Sequence, residues 1–479
     1  MKITRLSRPL CAALLSVCAS IPGGALAQTA PLTYPQTARG TQTDIYHGTT
    51  VADPYRWLED TDSPATKGWV EAQNKLTFGY LASIPQREAI RARLEQVWNY
   101  PKYSTPSKAG NRLFFTENSG LLNQSILYVR EGTRPARVLL DPNTLSADGT
   151  VALSVIAESP NGKYLGYGVS ASGSDWQEFR VRDVDTGRDL RDTLKFVKFS
   201  DMSWTRDNRG FFYSGYGEPV SGNTLTAVNR NQKVFYHRLG TPQSEDLIIY
   251  ERKDQPDWLF DAKVSDDGVF AIITIFEGTD PKTRLYYVYL DNPKRPRVNA
   301  PVVKVADRFD AEYQFVHNSG DNLLVRTTLG APKGKLIRID INNLHPSRWV
   351  TIIPEAKDAL QDVVVAEDHL IASYLEDAHS SLRVYGMPRL DDPRRTRGQS
   401  GPRGRMPAET AERAPAPSTD RRTQSAPGYP FIRQIDLPAL GTVSSISSKP
   451  DDEEVFFSFV SFLAPTAIYR HDVKRGTTE

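Results

Sequence analysis

Between about Tyr103 and Lys474, short apolar and aromatic runs alternate with turns of Asp, Asn, Gly, Ser or Pro, a pattern that predicts strands with one face buried. One strand recurs seven times, as Arg112-Leu113-Phe114-Phe115, Lys163-Tyr164-Leu165-Gly166, Gly210-Phe211-Phe212-Tyr213, Val269-Phe270-Ala271-Ile272, Asn322-Leu323-Leu324-Val325, His369-Leu370-Ile371-Ala372 and Val455-Phe456-Phe457-Ser458. From Phe115 through Leu165, Phe212, Phe270, Leu324 and Ile371 to Phe457 the intervals are 50, 47, 58, 54, 47 and 86 residues. Turns such as Ser159-Pro160-Asn161-Gly162 lead into the marked strand, and a further strand such as Arg284-Leu285-Tyr286-Tyr287-Val288-Tyr289 follows it. A period of about 40 to 50 residues carrying about four short strands is the repeat of a propeller blade. The pattern therefore predicts a mainly β protein, a seven-bladed β-propeller over 99–479 closed around a central channel.

Ahead of the repeats the period changes from two to 3.6. Ser63 stands where an N-cap would, Pro64 suits the first helical position, and Trp69, Ala72, Leu76 and Tyr80 share one face. After Pro85 a second helix is expected, with Ile90, Leu94, Val97 and Trp98 as its apolar residues. Residues 28–98 thus read as a short α-helical amino-terminal arm whose stripes are packing surfaces.

The long last interval contains residues 388–428, with nine Arg, seven Pro, four Gly and no aromatic residue. Such a composition cannot bury a core and is expected to be a disordered insert. It separates Leu382-Arg383-Val384-Tyr385 from Phe431-Ile432-Arg433-Gln434-Ile435, two runs expected to pair as a hairpin. The insert carries +4 and residues 1–27 carry +3, so against a whole-chain charge of +2 the remainder lies near −5. The basic balance is therefore no sign of nucleic-acid binding. Lys2, Arg5 and Arg8, the apolar run Leu10 to Ile21 and Ala25-Leu26-Ala27 form the three parts of a bacterial secretory signal over 1–27. They predict a periplasmic or secreted protein with no transmembrane segment, since the run is too short to span a bilayer. Cys11 and Cys18, the two cysteines, lie inside it, so the mature chain is expected to lack disulfides.

Asp44-Ile45-Tyr46-His47-Gly48, Asp53-Pro54-Tyr55-Arg56-Trp57-Leu58-Glu59-Asp60 and Val70-Glu71-Ala72-Gln73-Asn74-Lys75 resemble the amino-terminal segment of the prolyl oligopeptidase family of serine peptidases. The likeness continues through Tyr100-Pro101-Lys102-Tyr103-Ser104, Ser170-Ala171-Ser172-Gly173-Ser174-Asp175-Trp176 and Phe457-Ser458-Phe459-Val460-Ser461-Phe462. The resemblance implies a propeller that caps an α/β-hydrolase domain and admits short peptides to a serine, histidine and aspartate triad, which cleaves after proline. It also implies that Phe199 lends an aromatic ring to the substrate pocket, with an ordinary strand-core role as the alternative. By the same likeness Asp175, Trp57 and Trp69 are expected at the interface with the hydrolase domain. Better-known members carry arginine before the Glu277-Gly278 pair; here Phe276 stands there, which removes a polar contact to substrate.

The family's nucleophile sits in a G-x-S-x-G elbow, and the sequence contains none. None of the seven histidines follows a candidate nucleophile, and each is expected to be a strand or turn residue. No His pair has metal-ligand spacing and no glycine loop suits a phosphate, so neither metal nor other cofactor is expected. The α/β-hydrolase domain is read as absent and the chain alone as inactive. Expected partners are short proline-containing peptides and a separately encoded α/β-hydrolase domain. The alternative is a non-catalytic propeller that binds peptides or proteins. Exposing five or six of Trp57, Trp69, Leu76, Tyr80, Leu94 and Trp98 would forfeit on the order of 10 kcal/mol, so the arm is expected to be loose without a partner.

Overall fold

The computed structural model describes residues 32–218, 229–388 and 428–479. The proposed export signal, both its cysteines and residues 389–427 of the insert lie outside the described residues. The chain divides into two units, 1–96 and 97–479.

The first unit holds an antiparallel hairpin, Thr43–Tyr46 with Thr49–Ala52, and two helices, α1 (Pro64–Ala82) and α2 (Arg87–Trp98, whose last residues fall in the second unit). The Ser63 hydroxyl accepts the Thr66 amide at 3.2 Å, and Pro64 opens α1, as the sequence predicts. Arg56 ties this region together by bonding Asp53 at 2.6 Å and Asp44. The stripe on α1 is only partly free. Trp69, Ala72 and Leu76 are half-buried, whereas Tyr80 at the same stripe's end is exposed. In α2 every residue is exposed, including Ile90, Leu94 and Trp98. A 12-residue helix without a buried face is marginal in water. Limited proteolysis is therefore expected to cut within 87–98 well before any blade; an α2 as resistant as the blades would count against this and favour a self-sufficient binding protein.

The second unit is a β-propeller of antiparallel sheets arranged in sequence order over 102–140, 151–251, 258–306, 313–353, 359–435 and 442–478. All seven marked strands occur as the second strand of a four-stranded run, from Arg112–Asn118 to Glu454–Val460. The predicted hairpin across the insert forms, with Leu382 opposite Ile435 and Tyr385 opposite Phe431. The sheet over 151–251 has eight strands, but its halves join through one residue pair, Val197 opposite Gly215. Those halves also face each other across a buried cluster in which Phe179 and Leu194 meet Trp204 and Phe211.

Similar apolar clusters fill each junction between consecutive sheets; Phe270 and Leu285 meet Tyr313 and Leu323, for example. The contact between the first and last sheets is of a different kind. There Thr105 bonds Ser445, and Lys108 Nζ lies 2.5 Å from Asp452 and 3.9 Å from Glu454. No strand is shared across that seam among the described residues. Neighbouring sheets are thus held together by apolar clusters, and the first and last by polar side chains, where partly exposed ion pairs contribute little.

Candidate functional site

In an antiparallel sheet the turns after the first strand lie at one end and those after the second strand at the other, so a ring of such sheets has two distinct faces. The first strand of each sheet is innermost and presents alternate residues to the axis. On the strand Trp258–Val264 these are Leu259, Asp261 and Lys263, spaced about 7 Å apart, an order of apolar, acidic and basic groups along the axis.

Two contiguous spaces follow. A central cavity of about 940 Å³ is lined by inner-strand residues that include Lys108, Glu158, Lys263 and Gln314, and by Arg206 in a turn. A side cleft of about 380 Å³ holds Phe199, Leu259, Ser154 and Gln177. Asp201, Asp261 and Phe276 line both. Much of the cavity's charge is already paired. Lys108 lies 2.5 Å from Asp452, Lys449 3.8 Å from Asp266, and Glu312 2.8 Å from Arg326. Asp201 and Asp261 form no close ion pair among the described residues, although Lys263 attracts Asp261 along the strand. Burial, and then the neighbouring Asp201, push the Asp261 carboxyl above the usual carboxylate range. Burial raises Glu158 likewise, against a hydrogen bond from Ser107.

Phe199 is not a strand-core residue. It stands at φ 55° in the turn between Asp189–Val197 and Ser203–Trp204, with half its surface exposed. A positive φ is costly for such a side chain and persists only when its surroundings enforce it. Here the buried Gln232 does so. Its Nε2 donates to the carbonyls of Lys198 (3.0 Å) and Phe199 (3.4 Å), and its Oε1 accepts the Phe260 amide at 2.6 Å. Ser200 Oγ accepts the Ser214 amide at 2.7 Å and completes the clamp.

The structure brings Phe199 and Asp175 together through Lys198. Its ammonium lies 3.4 Å from Asp175, 5.3 Å from the Trp176 ring centre and 5.2 Å from that of Phe199. Trp57 and Trp69 lie in the first unit, half-buried, where their indole N–H groups donate to the Ala38 carbonyl and Thr37 Oγ1, each at 3.0 Å. Phe276, singled out in the sequence as a departure, closes the cleft opposite Leu259, its partner in the sheet register. Lys198, Gln232, Asp201 and Asp261 escaped sequence reading because no motif or period marks them. Gln232 in particular acts on residues more than thirty positions away.

The histidines lie apart from this site. His237, read as a strand residue, sits in Lys233–Arg238 but is fully buried, with Nε2 3.0 Å from Asp192 and Nδ1 2.7 Å from Asp246. It lines neither space. Among the described residues no three His, Cys, Asp or Glu side chains converge on a metal position, and no helix is long and apolar enough to cross a membrane.

The family model for the prolyl oligopeptidase N-terminal beta-propeller domain matches residues 35–479. The chain is 31% identical to a prolyl endopeptidase of Elizabethkingia meningoseptica over 448 residues, 94% of this chain and 57% of that protein. It is 33% identical over 391 residues to prolyl oligopeptidase A of Amanita bisporigera, covering 75% of this chain and 51% of that one. Among solved structures, prolyl oligopeptidase B of Galerina marginata, bound to a 35mer hydrolysis and macrocyclization substrate, superposes with a TM-score of 0.76 at 26% identity. That match covers 94% of this chain and 60% of the other. The chain thus spans little more than half the length of these relatives.

Proposed function

The chain belongs to the prolyl oligopeptidase family, and from that premise we propose that it is the gating portion of a secreted serine endopeptidase that cleaves short peptides after proline. Residues 1–27 would direct its export to the periplasm. Taking the halves of the eight-stranded sheet as two blades makes a seven-bladed ring. The observation that carries the reading is the continuous space along its axis, which ends in the cleft at Phe199, Leu259 and Phe276. An axial passage between close-packed blades passes an extended chain and excludes a folded one.

The nucleophile, histidine and aspartate are proposed to come from an α/β-hydrolase domain in the part of the family's length that this chain does not match, whether continuous with it or separately encoded. Support comes from the polarity of the two faces. The turns after the first strands are polar, as in Asp266-Asp267 and Asp451-Asp452, whereas Leu121, Leu122, Phe462 and Leu463 stand exposed in turns after second strands and Leu375 at the end of one. Phe199 and Asp175 lie at that same end. An apolar rim of this kind marks a docking face. Trp57 and Trp69 would then hold the arm's entry segment in shape for the same partner.

The chain by itself is expected to show no cleavage of a proline-containing peptide and no labelling by a serine-reactive phosphonate. Fused ahead of the remaining part of the Elizabethkingia meningoseptica prolyl endopeptidase, it is expected to support cleavage after proline. Labelling of the chain alone would overturn the assignment of chemistry to another domain. The alternative reading, a non-catalytic peptide-binding propeller, is favoured by the lack of a G-x-S-x-G elbow; an inactive but folded fusion would support it.

A further inference from the structure

We propose that Asp201 and Asp261 make the axial space selective for peptides carrying a cationic group, a lysine or arginine side chain or a free amino terminus, seated where the cleft opens into the cavity. The proposal rests on the reading of this space as a peptide gate. Asp201 lies in the turn that carries Phe199 and Asp261 on the strand Trp258–Val264, yet both line both spaces, so a group passing from one to the other passes them. Of the other acids of the cavity wall, Asp452, Asp266 and Glu312 are each matched by a cation, Glu158 is held by Ser107, and Asp451 lines the cavity but not the cleft. Asp261 is repelled by Asp201 more than it is attracted by Lys263, its neighbour on the same face of the strand. Asp201 is exposed and Asp261 partly withdrawn from water; a cation brought by the ligand offsets the cost of the half-buried Asp261 carboxylate and draws on the charge of Asp201.

The walls around the pair suit such a group. Above it stand Phe199, Phe276 and Leu259, two of them aromatic, and the Phe199 ring already accepts one ammonium, that of Lys198 at 5.2 Å. Below it, one strand step along the axis, Lys263 would repel a cation that went further. The order apolar, acidic, basic therefore fixes how deep the cationic group sits, with the aliphatic stem against the aromatic rings and the charge between the carboxylates. Phe276 adds to this, because it contributes apolar surface and no positive charge beside the acids.

Calorimetric titration of the full chain at low ionic strength tests the idea with three N-acetylated, proline-containing octapeptides that differ at one position, Lys, Gln or Glu. A fourth peptide, the Gln form with a free amino terminus, separates the two sources of the cation. The Lys peptide is expected to bind about tenfold tighter than the Gln peptide, and the Glu peptide more weakly still. In Asp201→Asn/Asp261→Asn the preference should vanish, whereas Lys263→Gln, which leaves both acids in place, should widen it. Equal binding of the three peptides, or a preference that survives the double substitution, would overturn the proposal while the gate reading stands. Failure of all four to bind would overturn the gate reading and this proposal together.

Discussion

Replacing Asp246 with alanine is expected to destabilise the propeller by about 3 to 5 kcal/mol, the range for breaking a buried charge pair. The cause is a closed polar cluster inside the sheet over 151–251. His237 lies between Asp192 and Asp246, Tyr213 donates to Asp246 at 2.7 Å, and the Gly240 amide donates to Asp192 at 2.6 Å. Burial opposes a charge on His237, but its bonds to Asp192 and then Asp246 outweigh that and raise its pKa from 6.5 to about 9. A raised pKa means that the charged histidine's stabilisation is complete below about pH 6.5 and fades as the pH climbs toward 9. Urea denaturation of the parent should accordingly show lower stability at pH 9 than at pH 6, by an amount of order 3 kcal/mol. The difference should shrink in Asp246→Asn, which keeps the shape and loses the charge. A parent equally stable at both pH values would show that His237 is neutral in the folded state.

Gly162→Ala is the second large effect, expected at about 2 to 4 kcal/mol. Gly162 stands at φ 69°, and a methyl group added there would lie 2.5 Å from the Ala109 carbonyl oxygen. The approach is mutual, since a methyl group on Gly110, at φ 58°, would lie 2.7 Å from the Asn161 carbonyl oxygen. These two turns join the first and second sheets backbone to backbone, and Arg112 fastens them by donating to the Gly162 carbonyl at 2.8 Å. The left-handed conformation alone costs an alanine roughly 1 to 2 kcal/mol. Gly173 isolates that part, because it has φ 72° and open space around it. Thermal melts of Gly162→Ala and Gly173→Ala should therefore differ, with the first clearly lower. Equal melting temperatures would mean that the two turns yield easily and do not lock the blades.

Local information sufficed for much of this. The seven marked strands, the cap at Ser63, and the pairing of Leu382 with Ile435 across a long insert follow from period, turn chemistry and composition, which act over a few residues. The amino-terminal stripe was legible as a packing surface, but its division into half-buried Trp69 and exposed Trp98 was not, because that depends on what each end meets. Likeness to a family points to Phe199, but the turn that exposes it depends on the distant Gln232.

The remainder depends on groups that are distant along the chain. Gln232 bracing the Phe199 turn, Asp201 meeting Asp261, and His237 clamped by two aspartates are pairs separated by nine to sixty residues, and nothing in either local pattern announces the other. By itself the sequence determined the repeating strands, their turns and their inward faces, since burial of alternate side chains requires a period of two wherever a sheet has a core. Only the tertiary structure decided which charges along the axis are matched and which are left over, because charges meet across the ring while the period runs along each blade.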